Sequence, residues 1–143
     1  MNRQIATGLA VAAAGLGALS AAAQPRGPAP PPAQQSLQRT TLQEQPFPGP
    51  VLHTVMTEAV VARGGEVAAH THPGIEMAYI ASGRALVRIT GRPDQDVAAG
   101  GSFSVPDHVV HSVRNIGPGP LTMISTYVVD RRKPLASPAL GAR

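Results

Sequence analysis

The sequence predicts an all-β domain, a sandwich or a barrel, over about residues 51–130. From Val51 onward, short apolar or alternating runs are separated by turn residues every 8–12 positions, which is typical of such folds. Each turn contains Gly, or a Pro whose fixed φ suits a turn. After residue 24, no stretch keeps a helical period of apolar residues for three turns. We therefore expect antiparallel strands joined by short turns.

These runs define eight predicted strands. They lie near residues 51–62, 66–72, 75–82, 84–90, 95–98, 102–105, 108–115 and 121–129. Side chains alternate between the two faces of a strand, and this alternation predicts which of them point inward. The predicted inward positions are Ala78, Ile80, Ala85, Val87, Ile89 and Val113. The interior is therefore expected to be apolar, and Arg88 is expected to lie outside.

The first 23 residues have the composition of a secretory signal peptide. Arg3 supplies a basic start, Ile5–Leu19 is uncharged and apolar, and Ala21-Ala22-Ala23 offers a cleavage site before Gln24. The run is too short to span a bilayer comfortably. We therefore expect a mature chain of residues 24–143 that is periplasmic or secreted, with no membrane span. The absence of cysteine is compatible with either redox compartment.

The segments on either side of the domain differ from it in composition. Residues 24–50 are rich in Pro and Gln, with eight prolines among the 27 residues. We expect residues 24 to about 40 to form a polyproline-II-like tether that does not pair into a sheet, whereas residues 41–50 could lie along the barrel as an extended arm. The tail, residues 131–143, is basic and rich in Pro and Ala, and is expected to drape over the surface or to be loose.

The charge pattern argues against a nucleic-acid partner. Twelve Lys and Arg against eight Asp and Glu give a formal charge of +4, but no block of like charges appears. Two Phe and two Tyr also provide too few rings for base stacking.

Four residues stand out by type and spacing. His70 and His72 are two apart in a predicted strand and so point to the same face, where they could share a metal. Glu76 follows a short Pro73-Gly74 turn, which we expect to fold the next strand back beside the first. His111 lies 35 residues later and joins this set only if the sheet closes on itself. Three imidazoles and a carboxylate suit one divalent Fe, Mn, Ni, Cu or Zn ion better than Ca or Mg.

These residues resemble the two motifs of the cupin superfamily. The first motif is matched at every spacing by Gly64-x(5)-His70-x-His72-x(3)-Glu76-x(6)-Gly83. The second is matched at all positions but one by Gly100-x(5)-Pro106-x-His108-x(2)-His111-x(3)-Asn115, where His108 replaces a glycine. The 16 residues between the motifs are similar to the gap in small single-domain bacterial members. The resemblance covers about residues 51–130.

The resemblance implies a six- to eight-strand antiparallel jelly-roll barrel with one metal in its mouth. Its ligands would be His70, His72, Glu76 and His111. Four protein ligands on an octahedral ion leave two positions for a small molecule. Because single-domain cupins commonly pair through their sheets, the resemblance also implies a homodimer.

Several functions are compatible with this ligand set. The family contains dioxygenases and enzymes that use the metal as a Lewis acid for isomerase, hydrolase or lyase chemistry, and in either case Glu76 could act as a base. The rivals are a non-catalytic periplasmic module that binds a metal or small molecule, and a degenerate structural barrel, which the intact ligand set disfavours. A second titratable group inside the barrel would favour an enzyme, and a purely apolar lining would favour binding.

Four other residues have alternative interpretations. His108 is either a solvent-facing loop residue or part of the pocket rim, and His tolerates positive φ better than most residues. His53 is either a surface residue or a hydrogen-bond donor behind the site. Met123 and Tyr127 share a face of the last strand and either line the cavity or belong to the core.

Overall fold

The computed structural model describes residues 36–139, so the predicted signal peptide and residues 24–35 lie outside the described residues. Ten strands are present in the described part of the chain. They are β1 (Leu37–Pro46), β2 (Leu52–Val61), β3 (Glu66–Thr71), β4 (Gly74–Ser82), β5 (Arg84–Ile89), β6 (Gln95–Ala98), β7 (Ser102–Val105), β8 (His111–Asn115), β9 (Leu121–Asp130) and β10 (Ser137–Pro138). Between residues 36 and 139 there is no helix that could cross a membrane.

The strands form two antiparallel five-stranded sheets. One has the order β1-β2-β9-β4-β7, and the other has the order β10-β3-β8-β5-β6. This is the two-sheet arrangement of a jelly-roll barrel, so the predicted fold class is confirmed. The eight predicted strands correspond to β2 through β9.

An apolar core lies between the sheets. All six predicted inward positions are buried, and Arg88 is exposed, as predicted. The largest fully buried apolar side chains are Ile80, Leu121, Val61, Val87, Val105 and Val129. A smaller apolar cluster of Val55, Tyr127 and Val129 lies further along β2 and β9.

The expected hairpin at Pro73-Gly74 is wrong. β3 pairs with β8 and β10, whereas β4 pairs with β9 and β7 in the opposite sheet. The connection therefore crosses the barrel instead of folding one strand beside the other. Gly74 is required at this crossing because a Cβ atom there would lie 2.1 Å from the carbonyl oxygen of Val128, and its φ is +152°. Glu76 thus faces the histidines across the interior.

The N-terminal arm also differs from the expectation. Leu37–Pro46 forms β1 and pairs with β2 along its whole length, so residues 37–40 do not belong to an unpaired tether. The prolines of this region stop at residue 32 and resume at residue 46, which leaves the intervening backbone N–H groups free to join a ladder. The ladder has one irregularity, at Leu42. Except for Leu37, the strand is exposed to solvent.

Candidate metal site

Three imidazoles and one carboxylate converge inside the barrel. His70 and His111 lie directly opposite each other on β3 and β8, His72 follows the end of β3, and Glu76 projects from β4. One potential ligand atom from each residue lies within 4.8 Å of all the others. All four residues are buried, with exposed fractions between 2 and 8 %. The structure therefore brings together the four residues that the sequence singled out.

Backbone carbonyls fix the orientation of each imidazole. The Nδ1 atoms of His70 and His111 donate to the carbonyls of Ala68 and Val109, at 2.7 and 3.1 Å. His72 Nδ1 donates to the carbonyl of Leu135, at 2.6 Å. With the proton on Nδ1, each Nε2 lone pair points to the centre of the cluster. Metal-binding histidines are commonly held in this way.

The atoms at the centre are acceptors that face one another. Glu76 Oε2 lies 3.2 Å from His72 Nε2 and 3.1 Å from His111 Nε2, and the Nε2 atoms of His70 and His72 are 3.2 Å apart. Glu76 Oε2 and His111 Nε2 are buried, with no hydrogen bond to any described residue. Lone pairs at such separations require a proton or a cation between them. A divalent transition metal fits this donor set.

The protonation states of His70 and Glu76 favour cation binding. Burial, together with the neighbouring His111, lowers the pKa of His70 from 6.5 to about 4, so its ring is neutral at neutral pH. Burial raises the pKa of Glu76, but hydrogen bonds that His111 and His72 would donate when protonated at Nε2 outweigh burial and hold this pKa below its usual range. The cluster therefore presents a neutral imidazole and an ionised carboxylate, which are the forms that bind metals.

Tyr127 belongs to the site. Its hydroxyl donates to Glu76 Oε1 at 3.1 Å, and its ring lies 4.7 Å from the ring of His72. Burial and the charge of Glu76 raise the pKa of Tyr127 to about 12, which keeps the phenol protonated. The sequence did not decide whether Tyr127 lines the cavity or belongs to the core. Its role depends on β4 pairing with β9, where Glu76 and Tyr127 are directly opposite, and this pairing was not predicted.

The C-terminal tail also reaches the site. Ser137 and Pro138 pair with Thr71 and His70, and the amide of Ala139 donates to the carbonyl of Ala69 at 3.0 Å. The described part of the tail is thus draped over β3 and is not loose. Sequence reasoning missed its contact with His72 because the carbonyl of Leu135 is a backbone group, which leaves no signal in the side-chain pattern.

The two remaining histidines do not join the cluster. His108 is exposed and has a φ of +58°, the conformation for which glycine is usual, and its ring nitrogen contacts the carboxylate of Asp107. His53 lies 2.7 Å from the carboxylate of Glu44, away from the site. The solvent-facing interpretation of His108 is therefore confirmed.

Comparisons with known proteins agree with the fold and with the motifs. Residues 57–127 match the family model described as a cupin domain. An oxalate oxidase in complex with the substrate analogue glycolate is 27 % identical, with a TM-score of 0.50, over 52 % of this chain and 41 % of the oxidase. This chain therefore aligns with less than half of the oxidase. No curated protein sequence matches this chain.

Two further solved structures share the fold. An RmlC-like cupin from Shewanella frigidimarina is 24 % identical, with a TM-score of 0.53, over 67 % of this chain and 78 % of that cupin. The DMSP lyase DddQ from Ruegeria pomeroyi is 18 % identical, with a TM-score of 0.62, over 74 % of this chain and 53 % of the lyase. Residues 57–127 therefore match the cupin domain model, and the described part of the chain has the fold of these two structures.

Proposed function

We propose that this protein is a cupin metalloenzyme that holds one divalent Fe, Mn, Ni, Cu or Zn ion and acts on a small organic molecule. The ligands would be His70, His72, Glu76 and His111. The observation that carries the proposal is the convergence of their buried acceptor atoms, with three rings held from behind by carbonyls. Maintaining this arrangement without a cation leaves buried acceptors unsatisfied, which is costly.

Tyr127 is the observation that favours an enzyme over a binding module. Its phenol is a titratable group at the site in addition to the four ligands, and it is hydrogen-bonded to Glu76. A bound ion would supply a Lewis acid with open coordination positions, and a redox-active ion would also permit oxygen chemistry. In this proposal Glu76 would release the ion transiently and accept a proton from the substrate at Oε2, while Tyr127 positions the carboxylate by donating to Oε1. The largely apolar interior supports the alternative, a non-catalytic periplasmic module.

The class of reaction has two candidates. The 27 % identity with an oxalate oxidase supports oxidation of a small acid or enol in a dioxygenase-like manner. The second candidate is Lewis-acid lyase or isomerase chemistry, which is supported by the fold shared with a DMSP lyase. We rank it second because the 18 % identity with the lyase supports a common fold only.

Metal reconstitution followed by activity assays tests the enzyme proposal. Protein loaded with Fe(II) or Mn(II) is assayed for oxygen uptake with oxalate, glycolate, catechols, flavonols and diketones. We expect uptake with at least one class, and its loss in Glu76→Gln. Tyr127→Phe should retain the metal but reduce turnover, because it keeps the ring beside His72 and removes the hydroxyl that donates to Glu76. Stoichiometric metal binding without turnover of any kind, lyase and isomerase products included, would support the binding module instead.

We also propose a homodimer that forms through the outer face of the first sheet. This face exposes large apolar side chains on β4, namely Ile75, Met77 and Tyr79. Exposed apolar patches on a sheet commonly mark interfaces. Light scattering should give twice the chain mass, and Met77→Lys should reduce this mass to that of a monomer. Leu86→Lys is the matched control, because Leu86 faces outward on the other sheet. A monomeric wild type would refute the dimer.

Export to the periplasm or the medium is a further part of the proposal. It is supported by the basic, apolar and small-residue order of residues 1–23. The intact mass of the exported protein should correspond to a start near Gln24. A cytoplasmic protein that begins at Met1 would contradict it.

A further inference from the structure

A small apolar pocket lies beside the His/Glu cluster, which consists of His70, His72, Glu76 and His111. It has a volume of about 230 Å³ and lies where β1, β3 and the C-terminal segment meet. Its apolar lining consists of Leu37, Val67, Ala68, Ala69, Ala136 and Pro138. The pocket also contacts His70, which makes it adjacent to the candidate metal site. This volume lies below the range of pockets that hold drug-sized ligands, so a ligand of few atoms fits it.

One cation, Arg39, lines this pocket. In the β1–β2 ladder, Leu37 is opposite Val61 and Arg39 is opposite Ala59. Directly opposed residues of an antiparallel pair project to the same face. Because Val61 and Ala59 are buried in the core, Arg39 projects from the inner face of the sheet, but on the edge strand β1, where its side chain is exposed to solvent.

Arg39 differs from the arginines that are paired on the surface. Arg84 forms two hydrogen bonds with Asp96, and Arg132 is paired with Asp130 in the same way. Among residues 36–139, no carboxylate forms an ion pair with Arg39. Its guanidinium therefore keeps a planar set of donors that matches the geometry of a carboxylate.

We propose that Arg39 and this pocket bind the carboxylate of a small organic acid, with the alkyl part of the acid against the apolar wall. Binding of the carboxylate depends only on Arg39 and the pocket. The consequence, that the other end of the acid reaches the metal, rests on the proposed function above. The substrate of this cupin is then a short monocarboxylic acid, or a larger molecule with one such end.

NMR titration of the mature chain, residues 24–143, tests this proposal in the metal-free and the Zn-loaded protein. The probes are butyrate, acetate and the uncharged butyramide. We expect butyrate to shift the Arg39 side-chain resonance and the amides of residues 67–69, and to bind at least about tenfold more tightly than butyramide. Each methylene from acetate to butyrate should add up to about fourfold in affinity.

Variants at Arg39 locate the interaction. Arg39→Gln should reduce butyrate affinity to the level of butyramide, whereas Arg39→Lys should keep part of the preference as a point charge. The matched control is Arg114→Gln, an exposed arginine that projects outward from β8 and should leave binding unchanged. Neither Arg39 variant should alter Zn affinity, since Arg39 is not among the ligand residues.

The outcomes separate this proposal from the metal site. Equal butyrate affinity in wild type and Arg39→Gln, or no butyrate binding in either form of the protein, would overturn the carboxylate site even if Zn binds. A butyrate preference that disappears in Arg39→Gln, in a protein that fails to bind Zn, would support the carboxylate site and contradict the metal proposal.

Discussion

Two of the buried polar residues of strand β8, His111 and Asn115, are satisfied in opposite ways. Asn115 donates from Nδ2 to the carbonyls of Val61, Ala62 and Gly119, and its Oδ1 accepts from the amide of Gly117. His111 lies four residues earlier, and only its Nδ1 forms a hydrogen bond. Its Nε2 faces Glu76 Oε2 with no hydrogen bond.

This difference distinguishes Asn115, which supports the fold, from His111, which belongs to a candidate metal site. A buried amide with all its partners joins β8 to the end of β2 and needs nothing further. Buried acceptors that face each other raise the free energy of the metal-free fold and lower it only when a cation is bound. We therefore expect substitutions at Asn115 to affect folding, and substitutions at the His/Glu cluster to affect metal binding.

The largest expected effect is on metal affinity. His111→Ala removes one of three imidazoles and should weaken metal binding more than a hundredfold, since loss of an outer hydrogen-bond partner alone costs 10- to 100-fold. His108→Gly is the control, because His108 is exposed and glycine suits its positive φ. Competition titration with a chelator measures both. Metal loss in His108→Gly with retention in His111→Ala would show that the second motif is assigned in the wrong register.

Asn115→Ala should destabilise the protein by about 3 kcal/mol, because three carbonyls and one amide lose their partner in a buried place. Urea unfolding of the metal-free protein measures this effect. The exposed neighbour Arg114→Ala should change stability by less than about 0.5 kcal/mol. Metal affinity per folded molecule should be unchanged in Asn115→Ala. A selective loss of metal would mean that the two groups on β8 are not functionally separate.

Removing the tail should have an intermediate effect. Deletion of residues 134–143 removes the carbonyl of Leu135 that orients His72, and should lower metal affinity at least about tenfold. Deletion of residues 140–143 alone leaves this carbonyl in place and should have no effect. Equal affinities for the two truncated proteins would show that the tail does not support the site.

A further expected effect is a dependence of stability on pH. In the metal-free protein the pKa of His70 falls from 6.5 to about 4 on folding, so the unfolded chain binds more protons between these values. Stability should therefore decrease as the pH falls from 6.5 to about 4. His70→Asn should flatten this dependence in urea unfolding. A slope unchanged in His70→Asn would contradict the neutral, buried state of His70.

Much of this site was predictable because its residues lie within short stretches of sequence. The spacing of His70, His72 and Glu76 is fixed by one strand and one connection, and the two motifs implied the position of His111. Alternation also predicted which apolar side chains form the core. These features depend on a local period or on a motif.

What the sequence did not predict depends on pairing between distant strands. The contact of Tyr127 with Glu76 requires β9 to lie beside β4, and the contact of Leu135 with His72 requires the tail to cross β3. The predicted hairpin at Pro73-Gly74 was wrong for a related reason: a short turn is compatible with a hairpin and with a change of sheet. The close approach of the Val128 backbone to Gly74 distinguishes the change of sheet from a hairpin, and the sequence does not show it.

The central claim, that four converging acceptors form one metal site, is tested most directly by the nitrogen ligands of a bound ion. Cu(II) is added to the metal-free protein, and nitrogen couplings are recorded by pulsed electron paramagnetic resonance. We expect one Cu(II) per chain with three imidazole nitrogens, two in His70→Ala, and three, with weaker binding, in Glu76→Ala. A chain that binds no stoichiometric copper, or a spectrum in which His70→Ala leaves the nitrogen count unchanged, would contradict the account.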